Sequence, residues 1–289
     1  MSYKPTVSSY FSGAGGLDYG LSEAGCDVVQ SLEYDKTCCD TLAKNFNHKI
    51  VQDDITKVTV LDQVQSDVIA LTFPCTKYSS IADIHGTRTG DELFLHGFRH
   101  VALKLPEVFT LENVPGMKKF KVVMECFTKL PNYYVNVFCP LDASNWLPQK
   151  RARLILIATR KPFSISAPGK VKQVTLKDII QKDAHIEIPD YVQSRLNGAY
   201  RDLPIISDPD QNDVAPTCVA HYSKDLSTRL VKDGKRIRPY TVREYARLQG
   251  FPDSFEFAGG ERNQYKQIGN AVAIPVGRWI GSQIVKYFN

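Results

Sequence analysis

The chain has 289 residues, of which 43% are hydrophobic and 23% charged, with a formal net charge of +5; this is the balance of a globular protein, not a fibrous or unfolded one. Its longest apolar runs, such as residues 68–73 and 154–158, have strand length and fall far short of the ~20 residues that cross a bilayer, and its start lacks a signal-peptide pattern, so a place inside the cell and no membrane role are expected. Seven cysteines, an odd count, and six histidines without zinc-like spacing exclude a disulfide framework and leave no metal expected.

Residues 6–11 read as a strand, after which Leu17, Leu21 and Ala24 recur on one helical face before Gly25, a C-terminal cap. Residues 28–33 form the second predicted strand, and 49–51, 67–73, 107–111, 133–138 and 154–158 the following ones, with helical patterns between most of them. That alternation predicts an α/β fold, a doubly wound parallel sheet with helices on its faces. From about 161 to 239 prolines and polar residues replace the periodicity, which predicts a small irregular unit. A helix over 241–249 and a turn at Gly250-Phe251-Pro252-Asp253 follow, and a last helix carries Pro275 in its first turn and an apolar stripe of Val276, Trp279, Ile280, Val285 and Phe288.

Four places suit chemistry. Phe11-Ser12-Gly13-Ala14-Gly15-Gly16-Leu17 is a glycine turn between strand and helix, at the edge where doubly wound sheets bind cofactors. Asp18 stands where the third glycine of a dinucleotide fingerprint belongs, which disfavours a nicotinamide oxidoreductase. Glu33, ending the second strand, is placed to hold ribose hydroxyls, and Asp54 to accept from an adenine amine, a set that suits S-adenosylmethionine (AdoMet). Most lone cysteines are small buried hydrophobes, but Cys75, in Phe73-Pro74-Cys75-Thr76, ends the fourth strand in a loop where a thiolate can act as nucleophile. The segment 77–91 behind it holds Gly86 and Gly90 and reads as a closing loop. Glu112-Asn113-Val114 ends the fifth strand on the same edge, and its carboxyl can protonate a ring nitrogen. In Gln149-Lys150-Arg151-Ala152-Arg153 alternate residues of an extended segment share a face, so Arg151 and Arg153 are expected to point together into the crevice. A second basic cluster comprises Lys224, Arg229, Lys232, Lys235, Arg236 and Arg238, either a solvated face or a phosphate grip.

In this order the motifs resemble those of the DNA cytosine-5 methyltransferases. The likeness runs through Glu33, Asp54-Ile55, Pro74-Cys75, Glu112-Asn113-Val114 and the arginine motif, then resumes at residues 243–253 and at Gln267-Ile268-Gly269-Asn270-Ala271-Val272. It implies an AdoMet-dependent, Rossmann-like catalytic domain over 1–160, completed by 239–289, with a target-recognition domain over 161–238. By matching positions, Phe11, Gly13, Ala14, Gly16, Glu33, Tyr34, Asp54, Ile55, Pro74, Leu93, Asn270 and Val272 would surround AdoMet. Cys75, Glu112 and Arg153 would surround a flipped-out cytosine, with Arg151 in support, while Lys77, Ser79, Lys224, Arg229, Lys235, Arg236 and Arg238 would meet DNA. The resemblance also implies a monomer acting on duplex DNA in a prokaryote or phage, functionally paired with a restriction endonuclease where one exists. Two positions depart from the family pattern: Thr76 replaces a glutamine and Asp53 a glycine. Transfer RNA as substrate, or a DNA-binding relative without catalysis, are the competing readings.

Overall fold

The computed structural model describes residues 2–74, 93–169, 171, 174–181, 184 and 186–289. The alternation seen in the sequence becomes β1 (Thr6–Tyr10), α1 (Gly16–Glu23), β2 (Asp27–Glu33), α2 (Lys36–Asn45), β3 (Lys49–Gln52) and β4 (Val68–Leu71), then α3 (Leu93–Lys104), β5 (Val108–Asn113), α4 (Lys121–Thr128), β6 (Tyr134–Asp142) and β7 (Ala152–Thr159). These strands form one sheet in the order β3-β2-β1-β4-β5-β7-β6. The order reverses at β1, where β2 and β4 flank it on either side, so a crevice opens beyond the ends of β1 and β4.

β7 corrects the expectation of an all-parallel sheet, because it runs antiparallel to both β5 and β6. The connection from Asp142 to Ala152 is too short for the crossover of a dozen or more residues that parallel pairing needs. The strand is also longer than the predicted 154–158, and the reversal brings its first residues, not its last, to the crevice edge.

The segment 161–238 is less irregular than its composition suggests. It holds short helices α5 (Leu176–Ile179) and α6 (Asp190–Asn197) and contributes β8 (Ile205–Ser207), β9 (Arg229–Asp233) and β10 (Arg236–Pro239) to a second, three-stranded sheet. Strands of three to five residues carry too little alternation to register as a pattern. The chain then returns through α7 (Val242–Leu248), α8 (Glu261–Asn270) and α9 (Ile274–Phe288). Leu17 and Leu21 of α1 share one core with Val276, Ile280 and Ile284 of α9 and with Val7, Val28 and Val68 of the sheet. The opposite face is covered by α3 and α4 through Val101, Val123 and Phe127, packed on Tyr10, Ile69 and Phe109. A third core joins Tyr222 and Val231 of the small sheet's region to Tyr245, Tyr265 and Phe251.

Among the described residues no helix is long and apolar enough to cross a membrane. Among them also, no group of three or more His, Cys, Asp or Glu is placed to hold a metal ion.

His100 of α3 is fully buried against the Tyr10 ring, centroids 4.4 Å apart, and neither ring nitrogen has a hydrogen-bond partner among the described residues. Burial, then the nearby Arg99, Lys104 and His96, lower its pKa to about 4. A neutral imidazole in the fold and a titrating one in the unfolded chain give a definite sign: stability is complete above about pH 6.5 and is lost as pH falls towards about 4. His100→Leu is therefore expected to flatten the fall in melting temperature across that window, measured by calorimetry; a parallel fall in parent and variant would contradict it.

Candidate active site

The glycine turn is strained open. Phe11 has φ +61° and Gly13 φ +56°, a region in which residues other than glycine are uncommon. Phe11 is kept there by the Thr72 hydroxyl, which donates to its carbonyl at 2.8 Å, and by edge contact of its ring with Phe73. A Cβ at Gly13 would meet nothing within 4 Å, whereas one at Gly16 would lie 2.4 Å from the Val272 carbonyl oxygen. Gly13 thus faces open space, while Gly16 is required by close packing on the C-terminal segment. Ala14 likewise packs into the core with Phe251 and Ala271. These two shape the turn from behind.

Glu33 joins the turn to the second strand. One carboxyl oxygen accepts from Gly13 N at 2.8 Å and the other from Tyr34 N and Asp35 N, both at 2.9 Å. An ionised carboxylate offers about four acceptor positions, so capacity remains for a ribose hydroxyl. Burial raises its pKa, against the pull of those three amides. Tyr34 beside it is 69% exposed, leaving its ring available to a planar ligand. Asp54 caps its own loop by accepting from Thr56 N at 2.9 Å, a bond that holds its pKa below the usual carboxylate range. Ile55 is buried, and its carbonyl accepts from Arg99 of α3, which also donates to the Val58 carbonyl at 2.8 Å. Leu93 opens α3 half-buried. Val272 is buried and Asn270 exposed at the end of α8. An open glycine cradle, a carboxylate with spare acceptor capacity, an exposed ring and an ionised aspartate fit the polar and planar parts of AdoMet. Arg99 carried no sequence signal, since a lone arginine on a helix is indistinguishable from a surface one.

Asn113, buried at the end of β5, donates to the Phe73 carbonyl at 3.0 Å and accepts from Val114 N. It fixes the chain two residues before Cys75, with Pro74 exposed between them. Cys75, Thr76, Lys77 and Ser79 lie outside the described residues. Glu112, also on β5, pairs with Arg153 of β7, Nε to Oε1 2.9 Å, both side chains close to buried. Arg153 donates in addition to the Ala152 carbonyl at 2.7 Å.

Arg151 departs from expectation. It does not share the crevice with Arg153, because it precedes the strand and turns inward to donate to the carbonyls of Cys218 at 2.8 Å, Gly269 at 3.0 Å and Ala271 at 2.7 Å. Its bonds all go to neutral carbonyls, not to a carboxylate. Burial, reinforced by Arg153, lowers its pKa to about 9, and the carbonyl end of α8 supplies the opposing negative dipole. Gln149, buried beside it, donates to the Leu248 carbonyl at 2.7 Å and accepts from Cys218 N at 2.8 Å. The arginine motif is therefore a joint between the segment around Cys218, the end of α8 and the start of α9.

The basic cluster divides. Lys224, Lys235 and Arg236 are exposed. Arg229 is half-buried, its Nε donating to the Thr217 carbonyl at 2.9 Å, and Lys232 pairs with Asp208 at 2.6 Å. Arg238 is a correction: it is fully buried and bound to Asp233 and Glu244, both at 2.8 Å. Burial opposes its charge, but these two carboxylates outweigh it and raise its pKa. It braces the small sheet on α7 and is not available to a phosphate.

A family model described as C-5 cytosine-specific DNA methylase matches residues 6–286. The chain is 31% identical over 318 residues to type II methyltransferase M.Bsp6I of Bacillus sp. (strain RFL6), covering 97% of this chain and 98% of that one. It is also 31% identical over 305 residues to type II methyltransferase M.NlaX of Neisseria lactamica, with 96% and 95% covered. Among solved structures, the Entamoeba histolytica methyltransferase EhMeth superposes with a TM-score of 0.81 at 18% identity over 99% of this chain and 98% of that one, a likeness of fold. A crevice at the turn of the strand order, a Glu–Arg pair at its edge and a match along nearly the whole sequence converge: the chain belongs to the C-5 cytosine-specific DNA methylases, enzymes that use AdoMet to methylate cytosine in DNA.

Proposed function

We propose that this enzyme methylates carbon 5 of a cytosine rotated out of a short specific duplex sequence, through a covalent bond to Cys75. The observation that carries the reading is the Glu112–Arg153 pair at 2.9 Å, on the same edge as Asn113, which holds the chain leading to Cys75. Carbon 5 of cytosine is a weak nucleophile. Addition of the Cys75 thiolate to carbon 6 makes carbon 5 electron-rich. Glu112 holds the N3 edge, while Arg153 binds the ring carbonyl and offsets developing charge. AdoMet, when bound by the turn, Glu33 and Asp54, supplies an electrophilic methyl group. Carbon 5 then loses its proton to solvent and the Cys75 thiolate leaves.

A base stacked in a duplex cannot reach this pocket, so flipping is required. Residues 1–160 and 239–289 form the methyl-transfer unit and 161–238 reads DNA, with Lys224, Lys235 and Arg236 on its exposed phosphate-facing side. The type II names of the relatives and their bacterial sources support a modification enzyme paired with an endonuclease in a prokaryotic setting.

The test is incubation with methyl-labelled AdoMet and either duplex DNA or transfer RNA, followed by sequencing of methylated cytosines. Label in duplex DNA at one recurrent context is expected. Exclusive labelling of RNA would replace the reading with its RNA counterpart.

A further inference from the structure

Beneath the glycine turn lies a polar cluster that the chemistry above does not use. Ser9 of β1 and Ser31 of β2 are neighbours in register, both fully buried on the face covered by α1. Ser12, in the turn itself, donates to the Ser9 hydroxyl at 3.0 Å. Asp18 of α1 is fully enclosed among them: Ser31 Oγ donates to its Oδ2 at 2.7 Å, and its Oδ1 has no partner among the described residues. The same Ser31 hydroxyl lies 2.7 Å from Nε2 of His48, which is half-buried in the loop before β3.

We propose that Asp18 is a positioning residue of the methyl-donor site, its ionised form favouring the cationic donor, and that His48 sets its protonation through Ser31. The inference rests on the reading that this turn receives AdoMet. The donor carries a sulfonium, and that charge is gone from the product S-adenosylhomocysteine. A carboxylate in a dry site directly behind the turn therefore discriminates between them, since its field is little screened there. The charged and titratable groups facing the pair are few. Among the described residues, the hydroxyls of Ser9, Ser12 and Ser31 face Asp18 besides His48, and His48 faces Asp18 and Asp27; Glu33 lies across the turn on Gly13 N. Burial raises the Asp18 pKa and lowers that of His48, each drawn back by the other. When the imidazolium gives its Nε2 proton to Ser31 Oγ, the serine proton passes to Asp18 Oδ2, so one proton moves from the accessible ring to the enclosed carboxyl.

The test is calorimetric titration of AdoMet and S-adenosylhomocysteine into the parent, Asp18→Asn and His48→Gln proteins from about pH 5.5 to 8.5. In the parent, AdoMet is expected to bind about tenfold more tightly as the pair loses its proton, with the product unaffected, a coupling within the usual range. Asp18→Asn is expected to bind AdoMet at the weak level throughout, with no pH dependence, and the product as in the parent. His48→Gln, at a partly exposed position, shifts the midpoint upward, because the imidazolium that held the Asp18 pKa down is gone. Parent-like discrimination in Asp18→Asn, or equal weakening of both ligands, would overturn the proposal, the latter marking a purely structural role. Glu33→Ala is the control for the site: if it leaves AdoMet affinity intact, the reading of the turn fails, whereas weakening there beside a silent Asp18→Asn sinks the present inference alone.

Discussion

Cys75→Ala is expected to reduce methyl transfer by about 10⁴-fold or more, the scale on which loss of a nucleophile acts, while AdoMet and DNA affinities stay near those of the parent. Other thiols are poor substitutes. Burial pushes the pKa of Cys26 and Cys39 up to about 12 and raises that of Cys38 further. Cys218 is also raised to about 12 by burial, although Arg151 pulls the other way. Cys139 is raised by burial, and Cys126 sits in α4 beside Phe98 and Leu130. A thiol at such values holds almost no thiolate at neutral pH. Cys75 instead follows Phe73-Pro74, whose backbone Asn113 fastens to the same β5 that carries Glu112. On DNA containing 5-fluorocytosine the fluorine blocks proton loss, so the covalent adduct persists. The parent protein with AdoMet should form that adduct on site-bearing DNA and Cys75→Ala should not. Persistence of the adduct in the variant would assign the nucleophile elsewhere.

Arg151→Met is expected to cost about 3 kcal/mol or more of stability, because, among the described residues, the buried carbonyls of Cys218 and Gly269 lose their donor and that of Ala271 keeps only Gln249 at 3.1 Å. Two effects compete here. Replacing a buried charge by an apolar chain of similar length relieves its desolvation. The relief is smaller than the loss, since the three carbonyls stay buried and the substitution removes no carboxylate along with the charge. A melting temperature lower by roughly 6–12 °C follows for a protein of this size, together with weaker binding of AdoMet and DNA, as the residue joins the Cys218 segment to the end of α8. Arg151→Lys restores the charge and one or two of the bonds, so it should fall between. An unchanged melting temperature in Arg151→Met would refute this view of the joint.

Much of the site is legible in the order of residues along the chain. Strand ends fix which residues meet at an edge, and period-2 and period-3.6 patterns locate β1, β2, β4, β5 and α9 closely. The glycine turn, Glu33, Glu112 and Arg153 therefore fall into one crevice by counting elements. The likeness to a family supplied the chemistry, and the match over residues 6–286 established the family.

Other features had no linear signature. The reversal of β7 follows from a short connection and from the available sheet edge, and Arg151, which a repeat of two had placed with Arg153, precedes the strand and turns inward. Arg238 and Lys235 look alike in a basic run, yet one is enclosed by Asp233 and Glu244 and the other is exposed; the packing of β9, β10 and α7 together makes that difference. Asp18 read simply as an interruption of a glycine fingerprint, because its partner Ser31, and His48 behind that serine, come from another strand and loop. Composition, periodicity and motif order thus determined the class, most elements of the large sheet and the candidate residues for chemistry, since these depend on local propensity and residue type. Burial, charge pairing and the partner of each polar atom were decided by the tertiary structure, because they are set by residues distant in the chain that packing alone brings within a few ångströms.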